Sequence, residues 1–217
     1  MSFDYFTILL FNILMIVVID YNVGNVKSVC NAFRYNGCEV VLSKDPQKIK
    51  KAAGIVLPGV AAFGYAVNAL GPIAEVVKEV ALQGKPLLGI CVGYQMLFET
   101  STEYGLHKGL GLISGNVVAI PEGRVIPHMG WNLVKFPEGM DLFEGLGSEK
   151  HFYFAHSFHA QPNDKQTKIA YTEYGMDIVA SVQKANIYGV QFHPEKSSKS
   201  GLQVLKNFYN ICKKVSS

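Results

Sequence analysis

Two short runs of this chain carry residues that could do covalent chemistry together. Cys91 stands in Pro86-Leu87-Leu88-Gly89-Ile90-Cys91-Val92-Gly93-Tyr94-Gln95, where an apolar stretch ends in Gly-x-Cys-x-Gly and a helix-like stretch follows at once. This is the cysteine form of a nucleophile elbow. A sharp strand-to-helix turn lifts the side chain out of the sheet edge, and flanking glycines permit strained backbone and a closely held substrate. The helix that follows aims unpaired N–H groups at the sulfur, which favours thiolate over thiol. A buried cysteine at a strand end is the plainer alternative. A partner base decides between them. Of the six histidines, His193 stands out, because it follows Tyr188-Gly189-Val190-Gln191-Phe192 and continues as His193-Pro194-Glu195. In extended backbone residues i and i+2 share a side, so Glu195 can reach the His193 ring. Cys91, His193 and Glu195 then form a relay. The imidazole takes the thiol proton and later protonates a leaving amine, while the carboxylate fixes its tautomer.

The elements that must position these groups alternate along the first half. Strand signals at 16–20, 39–42, 54–57 and 86–90 are separated by helical signals at 26–35, 45–52 and 63–82, the last with Val67, Leu70, Ile73, Val76, Val77 and Val80 at helical spacing. This order implies an α/β fold: an open, mostly parallel central sheet with helices on both faces, flavodoxin-like in plan. After the cysteine the character changes. Short alternating runs at 117–120, 134–136, 152–154, 169–173, 178–183 and 189–192 predict an antiparallel extension of that sheet, and an amphipathic helix at 200–215 closes the chain.

Composition narrows the partners. With 217 residues and 49% hydrophobic content the chain can bury the core of one domain. A net charge of +3 without a long or aromatic-interleaved basic run gives no support to nucleic-acid binding. Cys30, Cys38, Cys91 and Cys212 form no C-x-x-C pair, which suits free thiols in a reducing, cytoplasmic setting. Residues 5–19 are mostly apolar, but Asp4 precedes them without a Lys or Arg, and Asn12 interrupts them. That argues against a signal peptide or membrane span. We expect residues 1–14 to be an extension outside the core, Met15 to be a candidate initiator, and 15–217 to form the domain. Mass spectrometry of the native protein tests this, and a mature start at Met1 would count against it. No metal is expected: His151, His156 and His159 lack a helical i, i+4 pair or a cysteine partner. No cofactor is expected either.

Longer stretches carry a resemblance. Pro58-Gly59-Val60, Gly89-Ile90-Cys91-Val92-Gly93-Tyr94-Gln95 and Val190-Gln191-Phe192-His193-Pro194-Glu195 resemble the three signatures of class I (triad-type) glutamine amidotransferases. Pro127-His128-Met129-Gly130-Trp131-Asn132, Tyr153-Phe154-Ala155-His156-Ser157-Phe158 and Glu195-Lys196-Ser197 resemble, more narrowly, the glutaminase subunits of imidazole glycerol phosphate synthase. The resemblance runs from Met15 almost to the C-terminus.

It implies that Cys91 attacks the side-chain amide of L-glutamine, with His193 as base and acid and Glu195 orienting it. Val92 N–H, just after the nucleophile, is the natural first oxyanion donor. The resemblance implies a second donor from Gly59-Val60, where a peptide must turn inward. The family usually has glycine where Ala61 stands, so that turn is expected to be harder here or to pivot at Gly59. Gln95, Glu103 and the His156-Ser157-Phe158 strand beside the thioester would bind the substrate, although a solvated carboxylate explains Glu103 equally well. Met129, Trp131, Asn132, Tyr153 and Lys196 would face a (βα)8-barrel cyclase that consumes the ammonia in histidine biosynthesis. Trp131, the only tryptophan, fits an ordinary core as readily. Two other readings stay open: a paralogue feeding another synthase, such as a surface-sugar amidation enzyme, and a catalytically silent partner-binding subunit.

Overall fold

The computed structural model describes residues 14–216, so the expected extension over 1–14 falls, but for its last residue, outside the described residues. In chain order the elements are β1 (Met15–Ile19), α1 (Val26–Tyr35), β2 (Glu39–Ser43), α2 (Pro46–Lys51), β3 (Gly54–Leu57), α3 (Phe63–Leu70), α4 (Ile73–Leu82), β4 (Leu87–Ile90), α5 (Val92–Gln95), β5 (Thr100–Ser101) and β6 (His107–Lys108). There follow β7 (Gly115–Ala119), β8 (His128–Lys135), β9 (Glu149–His156), β10 (Phe158–Pro162), β11 (Lys168–Glu173), β12 (Asp177–Lys184), β13 (Ile187–Val190) and α6 (Ser198–Ser216).

The main sheet has the order β2-β1-β3-β4-β13-β12-β11-β8-β9. Its first five strands run parallel, and β12, β11, β8 and β9 continue it antiparallel. The parallel strands are covered on both faces, which is why Ile16–Ile19, Ile55–Leu57 and Leu87–Leu88 are uninterrupted apolar runs at zero exposure. Helix α1 buries Val29, Cys30, Ala32 and Phe33, and α6 buries Val204, Leu205, Phe208 and Cys212. Helix α2 begins with the Asp45 carboxylate accepting from Gln47 N–H at 2.9 Å and Pro46 in the first turn.

Three expectations are corrected. The helix predicted over 63–82 is two helices, because Gly71 adopts φ 52° and Pro72 cannot continue the backbone ladder. The helix after Cys91 is one turn long, Val92–Gln95, so too few peptides align to give the expected dipole much force. The strand at 117–120 does not extend the main sheet: Gly115–Ala119 belongs to a second, four-stranded sheet, β10-β7-β5-β6. Among the described residues no helix is long and apolar enough to cross a membrane.

Candidate active site

Cys91 closes β4 at φ 55°, ψ −112°, a strained backbone for a residue with a Cβ. The strain sits on the cysteine itself rather than on its glycines. Gly89 and Gly93 serve close packing instead. A Cβ at Gly93 would lie 1.8 Å from the Leu57 carbonyl oxygen, and one at Gly89 would lie 2.6 Å from the Tyr94 Cα. The turn is held by Cys91 N–H donating to Val190 O at 2.8 Å and Gln95 N–H donating to Cys91 O at 3.0 Å.

His193 follows β13 and is almost fully buried. A 3-10 turn over Pro194–Lys196, rather than extended backbone, brings Glu195 back so that its Oε1 lies 2.9 Å from His193 Nδ1. That leaves Nε2 to exchange a proton with the sulfur. Burial by itself would lower the imidazole's proton affinity. Hydrogen bonds that the ring donates toward Cys91 and Glu195, together with their charges, outweigh it and raise His193 to about 10. Gln191 Nε2 approaches the Cys91 sulfur at 3.8 Å from the other side.

The sulfur opens into a pocket of about 400 Å³ whose wall includes Val60, Ala61, Gln95, Glu103, Met129, His156, Ser157, Phe158, His193 and Lys196. The structure thus gathers the expected substrate residues around Cys91. Glu103 also accepts from Phe63 N–H at 2.6 Å, at the start of α3. Ser157 is the hinge between β9 and β10 rather than part of a continuous strand. Gln95 Nε2 donates to Phe158 O and to Gln191 Oε1, both at 3.0 Å.

The first expected oxyanion donor is not free. Val92 N–H donates to Gly59 O at 3.3 Å, so the expected first donor points at a carbonyl on the strand that should supply the second. Tyr21, whose phenol is pushed up chiefly by burial and then by the neighbouring Cys91, donates its hydroxyl to Pro58 O. A Cβ at Gly59 would meet Tyr21 Oη at 2.9 Å and Gly93 N at 3.1 Å, so this approach needs glycine. Ala61 sits without positive φ in this arrangement.

Around the mouth, Met129, Trp131 and Val60 are each more than half exposed. Trp131 packs edge-to-face on Tyr153 at 6.3 Å, and Lys196 Nζ lies 5.6 Å from the Tyr153 ring centre. Trp131 is therefore a surface residue, not core. Asn132 is half-buried, with its amide engaged by His128 and by the Glu173 carbonyl.

Three participants carried no assigned role in the sequence: Gln191, Tyr21 and His128. Gln191 lies inside the same run as His193, and His128 is the second residue of the Pro127–Asn132 run. A parity count on β8 and β9 would have paired His128 with His156, which are cross-strand partners. Burial pushes His128 down to about 4. It pushes His156 down to about 3, with nearby histidines adding to the effect and the Phe158 carbonyl opposing it. Among the described residues no group of three or more His, Cys, Asp or Glu is arranged to hold a metal.

The profile described as "Glutamine amidotransferase class-I" matches residues 17–212 of this chain. Imidazole glycerol phosphate synthase subunit HisH of Moorella thermoacetica is 47% identical over 195 residues, covering 89% of this chain and 93% of that protein. The subunit of the same name from Sulfurimonas denitrificans is 47% identical over 201 residues, covering 89% and 97%. That of Methanothermobacter thermautotrophicus is 46% identical over 198 residues, covering 91% and 98%. Among solved structures, a chain of PurLQS from Thermotoga maritima superposes with a TM-score of 0.73 at 22% identity, covering 91% of this chain and 98% of that one. A structure titled glutamine amidotransferase gives 0.72 at 18% identity, covering 91% and 98%.

Proposed function

Since the chain belongs to the class-I glutamine amidotransferases and, within them, to the HisH subunits of imidazole glycerol phosphate synthase, we propose that Cys91, His193 and Glu195 are its glutaminase machinery. The chain is an enzyme of histidine biosynthesis, releasing ammonia from glutamine. The observation that carries the site assignment is the His193 ring, held by Glu195 at 2.9 Å and lining the same pocket as Cys91.

The chemistry follows from that geometry. His193 takes the thiol proton, and the thiolate attacks the side-chain amide carbon of glutamine. The tetrahedral intermediate collapses as His193 protonates the departing nitrogen, leaving ammonia and a glutamyl thioester. Water then attacks with His193 as base, and glutamate leaves with the thiol restored. Gln95, Glu103 and the His156–Phe158 segment hold the amino-acid end of the substrate.

The intermediate's oxyanion needs donors, and here Val92 N–H is occupied by Gly59 O. Rotation of the Gly59–Val60 peptide would remove that carbonyl and turn Val60 N–H inward, completing the hole in one movement. A missing donor costs about 3 kcal/mol in the barrier, roughly a hundredfold in rate. The described arrangement is thus a resting state, and a partner that favours the rotated peptide would switch the enzyme on. We assign that partner to the exposed Met129 and Trp131, with Lys196 and the half-buried Tyr153 beside them, and give it the form of a (βα)8-barrel cyclase that receives the ammonia. The four free cysteines suit the cytoplasm.

The test is a glutaminase assay with and without a purified barrel cyclase and its nucleotide ligand. Glutamate release should be low alone, rise with the complex, and vanish in Cys91→Ala. No release under any condition would favour a silent subunit. Failure to rescue a histidine auxotroph despite active glutaminase would favour the paralogue that serves another acceptor.

A further inference from the structure

A directional hydrogen-bond chain runs from the partner-facing strand β8 to the pocket, and its two ends fix every proton between them. At one end Leu133 N–H donates to Asn132 Oδ1 at 2.8 Å, so the Asn132 amide must present its Nδ2 hydrogens elsewhere. These go to the Glu173 carbonyl at 2.8 Å and to His128 Nε2 at 3.3 Å. At the other end the Phe158 carbonyl, which can only accept, lies 2.8 Å from His156 Nδ1, so that nitrogen carries the proton. Because Asn132 donates to His128 Nε2, the His128 proton is on Nδ1, so the 2.9 Å contact is a donation from His128 and His156 Nε2 accepts it. Both histidines are neutral Nδ1–H tautomers.

The chain continues past Phe158. Its carbonyl accepts a second bond from Gln95 Nε2 at 3.0 Å, and the same nitrogen donates to Gln191 Oε1. Both Gln95 amide hydrogens are thereby used, and Gln95 has only its Oε1 to offer a ligand. The His128 ring is held in plane by stacking between Tyr174, centroid 4.0 Å away, and Phe154 at 4.7 Å. So complete a constraint on a side chain that does not line the pocket calls for an explanation beyond packing.

We propose that His128 is a positioning residue for the glutamine pocket, acting through His156 and the Phe158 carbonyl to hold Gln95 as a pure acceptor toward the substrate. The proposal rests on the reading that this pocket takes glutamine. Its physical basis is polarity. Without the His128 donor, His156 Nε2 is a buried unpaired acceptor, and the ring satisfies itself by turning, which withdraws Nδ1–H from Phe158. The twice-bonded carbonyl then loses one donor and Gln95 loses its fixed orientation. The burial that keeps both rings neutral is consistent with this, since an N–H···N pair needs one donor and one acceptor.

Two variants separate this role from a structural one. His128→Phe keeps the aromatic sandwich and deletes the donor, whereas His128→Asn keeps an N–H at the Nδ1 position and deletes the sandwich. Assayed in complex with the cyclase, His128→Phe should raise KM for glutamine about tenfold, with kcat changed less than about threefold and Tm nearly kept. His128→Asn should keep KM within about threefold although its Tm falls. Unchanged KM in the Phe variant, or KM rising alike in both, would overturn the proposal. Long-range 15N spectra of the unmodified protein give an independent reading that needs no catalysis: both rings should show protonated Nδ1, and a protonated Nε2 on either would also overturn it. Absence of glutaminase activity in the unmodified complex would instead count against the glutamine reading, while the spectra still decide the direction of the chain.

Discussion

The two halves of the site are built from different materials. The half at the ends of β3 and β4 works through backbone. Cys91 holds φ 55°, Gly93 packs where a methyl carbon would sit 1.8 Å from Leu57 O, and the Gly59 carbonyl occupies the Val92 N–H. The other half, at the end of β13 and along the antiparallel strands β8 and β9, works through side chains: Glu195 on His193, and Asn132, His128 and His156 in series. The first half is therefore sensitive to an added atom and the second to a removed one. Within the side-chain half, three buried histidines go opposite ways. A carboxylate and a thiol raise His193 to about 10, whereas burial without any such charge lowers His128 to about 4 and His156 to about 3. Burial does not decide the charge of a histidine; its neighbours do.

This contrast can be broken from either side. Removing the base has the largest expected effect: His193→Ala should lower kcat/KM about 10,000-fold while leaving the fold intact, read from glutamate release and circular dichroism. Adding one methyl to the backbone half comes next. Gly93→Ala displaces the elbow against Leu57, and a shift of about 1 Å at a nucleophile costs about 100-fold. Here Tm should fall as well, because backbone must move, so full activity at unchanged Tm would refute the packing argument.

Stability against pH sharpens the comparison further. His128 and His156 stay neutral in the fold but charge at pH 6.5 when unfolded, so the stability they permit is complete above 6.5 and lost as pH falls toward 4. Each should contribute a slope of about 1.4 kcal/mol per pH unit in urea unfolding, and His128→Phe should remove about half of their joint slope. His193 has the opposite sign: its contribution is full below 6.5 and fades as pH rises through about 10. A flat profile between pH 4 and 6.5 would show that the histidine pair is solvated. The smallest effect is expected at the oxyanion strand. Ala61→Gly eases peptide rotation and should raise basal glutaminase activity a few-fold without the cyclase; no change would discard the idea that alanine stiffens this turn.

Much of this was legible before any fold was known. The uninterrupted apolar runs at 16–19, 55–57 and 87–88 mark strands buried on both faces, and the helical signal over 45–52 marks α2. The residues flanking Cys91 and His193 announce a nucleophile and its base. Other features were not legible. The helix over 63–82 keeps its apolar spacing straight through Gly71 and Pro72, so periodicity hid the break. The 3-10 turn at Pro194 delivers Glu195 by a route that extended geometry would not predict.

Residue types and order alone therefore determined the reaction class, because a thiol, an imidazole and a carboxylate have intrinsic chemistry wherever they meet, and short-range pattern determined the parallel strands. Tertiary structure alone decided which state those groups are in. That Val92 N–H is occupied, that His193 is raised while His156 is lowered, and that Asn132 turns inward to His128 depend on atoms brought together from distant strands. Hydrogen-bond direction and electrostatic shift are properties of such neighbours, and no local stretch of sequence contains them.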